Sequence, residues 1–169
     1  MDFWKLSVCS MAFAATLCAC GSTDDTTTIA DSFEALSAGA ASRFRAHLTG
    51  DAEVADVDTR ATGQALLAVT DDGELIYRII VSNMDDVILA HIHCAPEGEN
   101  GPIGVTLFMG GPVSVNGILI EATADAPDPG NTCGWVDMND VVDAILAGEA
   151  YVNVHTQEFP SGEIRGQLR

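Results

Sequence analysis

Residues 62–84 read TGQALLAVTDDGELIYRIIVSNM. Two runs rich in β-branched and large apolar residues flank Asp71, Asp72 and Gly73, and Asp-Gly between such runs is a strong hairpin signal, because glycine supplies the positive φ that a tight turn needs. The same style of segment extends in both directions. Upstream, SRFRAHLTG (42–50) alternates, with Phe44, Ala46 and Leu48 on one face and Arg43, Arg45 and His47 on the other. Downstream, DVILAHIH (86–93), IGVTLFM (103–109) and VSVNGILIEAT (113–123) are strand-like, separated by the polar loop 94–104 and by Gly-Gly-Pro. After a second Gly- and Pro-rich loop, 124–134, the period changes. Val141, Val142, Ile145 and Leu146 recur at helical spacing, Asp137 or Asn139 can cap the start, Asp140 sits near the positive end, and Gly148 can stop the turn. AYVNVHT (150–156) and SGEIRGQLR (161–169) close the chain as two more strands. Seven or eight short strands with one short helix near 138–147 predict an all-β domain, a Greek-key β-sandwich or barrel; a doubly wound α/β fold would need several helices.

The first 41 residues belong to something else. MDFWKLSVCSMAFAATLCAC has a short polar start, then an apolar stretch from Leu6 to Leu17, too short to span a bilayer and of signal-peptide length. It ends in LCAC, a leucine three positions before a cysteine with small residues between, which resembles the bacterial lipobox. That resemblance implies a signal peptide over 1–19, cleavage before Cys20 and lipid on the Cys20 thiol; the bland alternative is an ordinary signal peptide cleaved nearby. Residues 20–41, opening GSTDDTTTIADS, read as a flexible tether. The expected location is the cell envelope, reached through a lipid anchor, with Gly21 favouring the outer membrane if the host has two.

Net charge is −18, and cleavage before Cys20 removes one acid (Asp2) and one base (Lys5), leaving it unchanged. No basic surface is left over to neutralise phosphates, which argues against nucleic acid and against docking to anionic headgroups. Cys9 and Cys18 leave with the signal peptide and Cys20 takes the lipid, so Cys94 and Cys133 remain. In an exported domain these most simply form a disulfide; Cys94 as a thiolate metal ligand beside His93 is the alternative.

In ILAHIHCAP (88–96), His91 and His93 are two apart and so share a face if the segment is a strand. In YVNVHT (151–156), Asn153 and His155 share a face opposite Val152 and Val154. Three imidazoles from two strands suit zinc or copper. The competing reading is a buried polar network, with His91 and His93 bonded to Glu163, Asn153 and backbone carbonyls. Glu163 and Arg165 can pair with each other or support the cluster. His47 shares its face with two arginines and is expected in solvent. The acidic DAEVADVD (51–58) lacks the spacing of a calcium loop and reads as a solvated loop. No nucleophile elbow, Walker loop, dinucleotide fingerprint or triad spacing appears, so no catalytic residue is assigned.

Three segments together, AHIH (90–93), YVNVHT (151–156) and GEIRG (162–166), with ATGQALLAV…LIYRIIVSNM before them, resemble the CHRD domain, named from chordin and found also in bacterial secreted proteins. The resemblance covers about residues 43–169 and implies a domain over 42–169 that acts as a binding or interaction module. It also carries a weaker likeness in shape to copper–zinc superoxide dismutases, whose zinc loop has no counterpart between Cys94 and Pro112. The leading expectation is a membrane-anchored CHRD module with a mononuclear copper or zinc site at His91, His93 and His155. The alternatives are a copper-dependent redox enzyme resembling a copper-only superoxide dismutase, and a metal-free structural or adhesion domain.

Overall fold

The computed structural model describes residues 33–34 and 37–169; the expected signal peptide, the lipidated Cys20 and most of the 20–41 tether lie outside the described residues. Six strands form the sheet: β1 (Ser42–Thr49), β2 (Thr62–Val69), β3 (Leu75–Cys94), β4 (Ile103–Ala124), β5 (Ala150–Thr156) and β6 (Ile164–Gln167), with one helix, α1 (Met138–Leu146), between β4 and β5. The order is β2-β1-β6-β5-β3-β4, and an additional β2–β3 pairing closes the ring into a barrel with β4 outside it.

The 62–84 hairpin forms as expected. Val69 pairs with Leu75 and Thr62 with Ser82. Its turn is tied by Thr70 N–H to the Glu74 carbonyl (3.0 Å) and Gly73 N–H to the Thr70 carbonyl (3.0 Å), with Gly73 at φ +83°. The strand count differs from the expected seven or eight. LIYRIIVSNM and DVILAHIH are one 20-residue strand, and the two segments around Gly-Gly-Pro are one 22-residue strand. SNMDD marks a corner, not a break. Asn83 (φ 57°) and Asp86 (φ 51°) take the left-handed conformation that Asn and Asp tolerate better than other side chains. The Asn116 carboxamide oxygen accepts from Asn83 N–H at 2.6 Å. At this corner β3 leaves β2, which it pairs through Ser82, and takes up β5 from Val87 onward. One bent strand thereby serves two neighbours and closes the barrel.

Alternation decides what fills the barrel. Phe44, Ala46 and Leu48 of β1 point in, while Arg43, Arg45 and His47 stay exposed. Leu67, Leu75, Ile79, Ala90, Ile92, Val152, Val154 and Ile164 are all buried in the same core. The helix starts where expected: the Asp137 side chain accepts from the Asn139 and Asp140 N–H groups, and the Asp140 carboxylate reaches back in a capping box. It turns Met138, Val141 and Ile145 inward.

β1 and β6 approach closely. A Cβ at Gly166 would lie 2.1 Å from the His47 carbonyl oxygen. Gly166→Ala must therefore push the two strands apart, and a loss of about 1–3 kcal/mol of unfolding free energy is expected from a urea transition. An unchanged midpoint would contradict the close approach.

A candidate metal centre

The site begins with pairing. His91 lies opposite Asn153 and His93 opposite Tyr151 across β3–β5. Tyr151 lies opposite Gln167 and Asn153 opposite Arg165 across β5–β6. Residues opposite one another in a sheet share a face, and so do residues two apart. His91, His93, Tyr151, Asn153, His155, Arg165 and Gln167 therefore stand together on the outside of the barrel, while Val152 and Val154 face its core. A polar outer face is ordinarily wet. Here it is not: every residue of β5 is buried. Segment 95–102 and the 53–59 loop cover it, as the bonds below show.

The three histidines are 3%, 7% and 6% exposed (His91, His93, His155) and each offers a ring nitrogen within 4.8 Å of the others. Backbone carbonyls hold two of the rings. His93 Nδ1 lies 2.9 Å from the Gly101 oxygen and His155 Nδ1 lies 3.1 Å from the Pro160 oxygen. A carbonyl only accepts, so both Nδ1 atoms carry the proton and both Nε2 atoms present a lone pair. His155 Nε2 sits 3.0 Å from His91 Nδ1. His93 Nε2 is buried with no partner. Burial also keeps the rings neutral. It is the largest cause pulling His91 and His155 down to about 4, helped by mutual repulsion among the imidazoles. It lowers His93 as well, against the Gly101 carbonyl and the neighbouring Asn153 side chain.

Tyr151 organises the neighbourhood. His93 stacks on its ring at 4.9 Å and 7° from one flanking strand, and the Arg165 guanidinium lies 3.5 Å from the ring centroid from the other. Tyr151 Oη accepts from Gly101 N–H at 3.3 Å. Arg165, 1% exposed, donates to the Asn100 side chain (3.3 Å) and the Pro96 carbonyl (3.2 Å). The expected supporting residues thus divide. Asn153 shares the face, with its Oδ1 unpartnered. Arg165 pins the covering loop. Glu163 turns to the Thr59 hydroxyl (2.6 Å) instead of a histidine. His47 is exposed on β1, as its arginine neighbours suggested. Cys94, one residue beyond His93, forms a disulfide with Cys133 (Cα–Cα 5.8 Å), so it is no thiolate ligand.

Glu53 is the residue that sequence reasoning missed: it sits in the acidic loop read as solvated, yet its Oε1 is buried without a partner. A Cβ at Gly162 would lie 2.5 Å from that oxygen and 2.8 Å from Asn153 Nδ2, so the glycine at φ +128° is required by space as well as by backbone. Burial raises Glu53 to about 7, with Arg165 opposing. An acid whose pKa is raised on folding contributes stability below its unfolded value, here 4.5, and loses it as pH climbs through about 7. Glu53→Gln is therefore expected to be more stable than the native chain by about 1–3 kcal/mol at about pH 8 and equal near about pH 4, measured by thermal unfolding. A variant less stable at the higher pH would show that attraction to Arg165 outweighs burial.

The family model described as CHRD domain matches residues 44–168. No curated protein and no solved structure matches the chain.

Proposed function

This chain belongs to the CHRD-domain family, and on that premise we propose that it is an envelope-anchored interaction module carrying one zinc or copper ion on His91, His93 and His155. One observation carries the metal reading. Three neutral imidazoles converge, and the His93 Nε2 lone pair is buried with no hydrogen-bond donor aimed at it. A purely structural network would satisfy that nitrogen, because an unpaired buried polar atom costs about 1–3 kcal/mol. The carbonyl bonds at Nδ1 of His93 and His155 are the outer bonds that orient metal-ligating histidines. A bound ion would supply a fixed positive charge and Lewis acidity at the end of β3, and this chain's part is to hold the rings neutral, oriented and dry. The near-complete burial of all three rings favours retention of the ion within a module over turnover of a large substrate.

The anchor rests on LCAC and the position of Cys20. It predicts incorporation of labelled fatty acid that Cys20→Ser abolishes; equal labelling of the variant would remove the anchor from the reading. The metal reading is tested by calorimetric titration of metal-free protein with Zn²⁺ and with Cu²⁺. One equivalent bound by the native chain supports it, and no binding of either ion makes the cluster a structural network and the module metal-free. A second reading, a copper centre that turns over superoxide, has the all-nitrogen donor set in its favour. It requires turnover above that of free copper, lost in His93→Ala.

A further inference from the structure

Unsatisfied acceptors gather beside the histidines. Among the described residues five buried side-chain atoms lack a hydrogen-bond partner, and three of them, Glu53 Oε1, His93 Nε2 and Asn153 Oδ1, fall in this one region. They form a line. Asn153, 3% exposed, stands opposite His91 and neighbours His93. Its amide end and the Glu53 carboxyl crowd one spot above Gly162, where a Cβ would lie 2.8 Å from Asn153 Nδ2 and 2.5 Å from Glu53 Oε1. Glycine leaves that spot open. A buried water could donate to two of these lone pairs at a time. A cation can be received by each of them in turn.

The outer end of the line opens on negative charge. Glu53 also lines a cavity of about 290 Å³, with Asp51, Asp56 and Asp58. Asp58 borders a second cavity, of about 660 Å³, together with Asp85, Asp86, Glu158 and Glu163. Arg60 lines that cavity too, so eight acids face one base across the pair. Arg165 is the other positive charge within reach of Glu53, but its guanidinium donates to the Asn100 side chain and the Pro96 carbonyl under the covering loop. A concave surface dominated by one sign of charge focuses its field and raises the arrival rate of opposite charges by about 10-fold to 1,000-fold. Acids alone would be only a solvated surface. The buried, unpartnered oxygens at the inner end are what mark a passage for a ligand.

Resting on the metal reading, we propose that Glu53 and Asn153 are the entry relay of the histidine centre: a divalent cation gathered by the acidic cavities passes from Glu53 Oε1 and Asn153 Oδ1 to His93 Nε2, while segment 95–102 stays in place. The step is ligand exchange. The ion sheds water for carboxylate and amide oxygen, then oxygen for nitrogen, and no proton has to leave His93 Nε2, which already carries its lone pair. A relay residue holds the ion only in transit, so it changes loading and release alike and leaves the affinity nearly untouched. The same field opposes an anion, which weighs against superoxide as the incoming species.

The test is stopped-flow uptake of Zn²⁺ by the metal-free full-length chain, read with a colorimetric zinc indicator, and release measured by chase with a strong chelator. Glu53→Gln keeps the side chain's shape and removes its charge. It should slow loading and release together by about tenfold, with the dissociation constant within about threefold of the native value. Because this variant is expected to be at least as stable as the native chain, slow loading cannot come from misfolding. Asp51→Asn with Asp56→Asn should slow loading by about threefold and flatten its decline with salt. Asp143→Asn, exposed on α1, should load as the native chain does. Native loading in Glu53→Gln overturns the relay and leaves the metal reading standing. So does an affinity lost through faster release alone, which would make Glu53 a resident ligand. No uptake by the native chain overturns both.

Discussion

Zinc or copper is expected to raise the unfolding temperature of the native chain and to leave that of His91→Ala, His93→Ala or His155→Ala unmoved. The size follows from linkage: an ion at about 100 times its dissociation constant stabilises the folded state by about 2.7 kcal/mol. Removing one of three nitrogens should lower affinity by about a thousandfold, about 4 kcal/mol, which erases that gain. His93→Ala also strips the stacked ring from Tyr151 and leaves the Gly101 carbonyl without its donor. It should be less stable than the native chain even without metal, so metal response and baseline stability must be read separately. A variant that keeps the full metal-induced shift would remove its histidine from the site. Acid should weaken the native chain through the same histidines. His91 and His155 fall from 6.5 to about 4 on folding, so their contribution is present above 6.5 and is lost as pH drops from there toward about 4. Protons also compete directly for the ligand nitrogens. The metal-free native chain should lose stability over that window, and the alanine variants should lose less.

Removing the Cys94–Cys133 disulfide should have the second large effect. It closes a 39-residue span, and loop-closure entropy for that length is about 4 kcal/mol. For a chain of this size that is a drop of about 12 °C in unfolding temperature for Cys94→Ser with Cys133→Ser. The span also ties the end of β3 to the loop of Asp128, which accepts from both the N–H (3.0 Å) and hydroxyl (2.6 Å) of Thr106, the residue opposite His91. Cutting the tie frees the segment after Cys94 that carries Gly101, the carbonyl that orients His93. Metal affinity should fall about tenfold as well, the scale of losing an outer hydrogen bond to a ligand. A loss of less than about 2 °C would mean that the barrel holds this corner without help.

Much of the fold was legible because the chemistry that specifies it is local. The turn at Gly73, the alternation of β1 and the Asp137–Asp140 capping box can each be read within a few residues. What escaped was the corner at Asn83 and Asp86. Left-handed Asn and Asp look like a turn between strands, and only the long-range partners Ser82–Thr62 and Val87–Thr156 reveal one strand continuing through a bulge. The site divides along the same line. His91, His93 and His155 could be found from a two-residue period on two segments. Tyr151 could have been, since it shares the parity of Asn153 and His155. The cover could not: Gly101 and Pro160 act through backbone carbonyls, which leave no side-chain signature, and Glu53 reaches the site from a loop whose composition says solvent. Glu163 is expected from sequence to pair with Arg165 or the histidines, yet it bonds Thr59, a partner that only the folded loop supplies.

The most direct test of the metal centre is the state of individual ring nitrogens. Long-range ¹H–¹⁵N correlation on histidine-labelled protein should find the metal-free chain with His93 and His155 protonated at Nδ1. One equivalent of zinc should then move Nε2 of His93, Nε2 of His155 and Nδ1 of His91 together to metal-bound shifts. Histidines protonated instead at Nε2, or ring nitrogens that stay still as zinc is added, would contradict it.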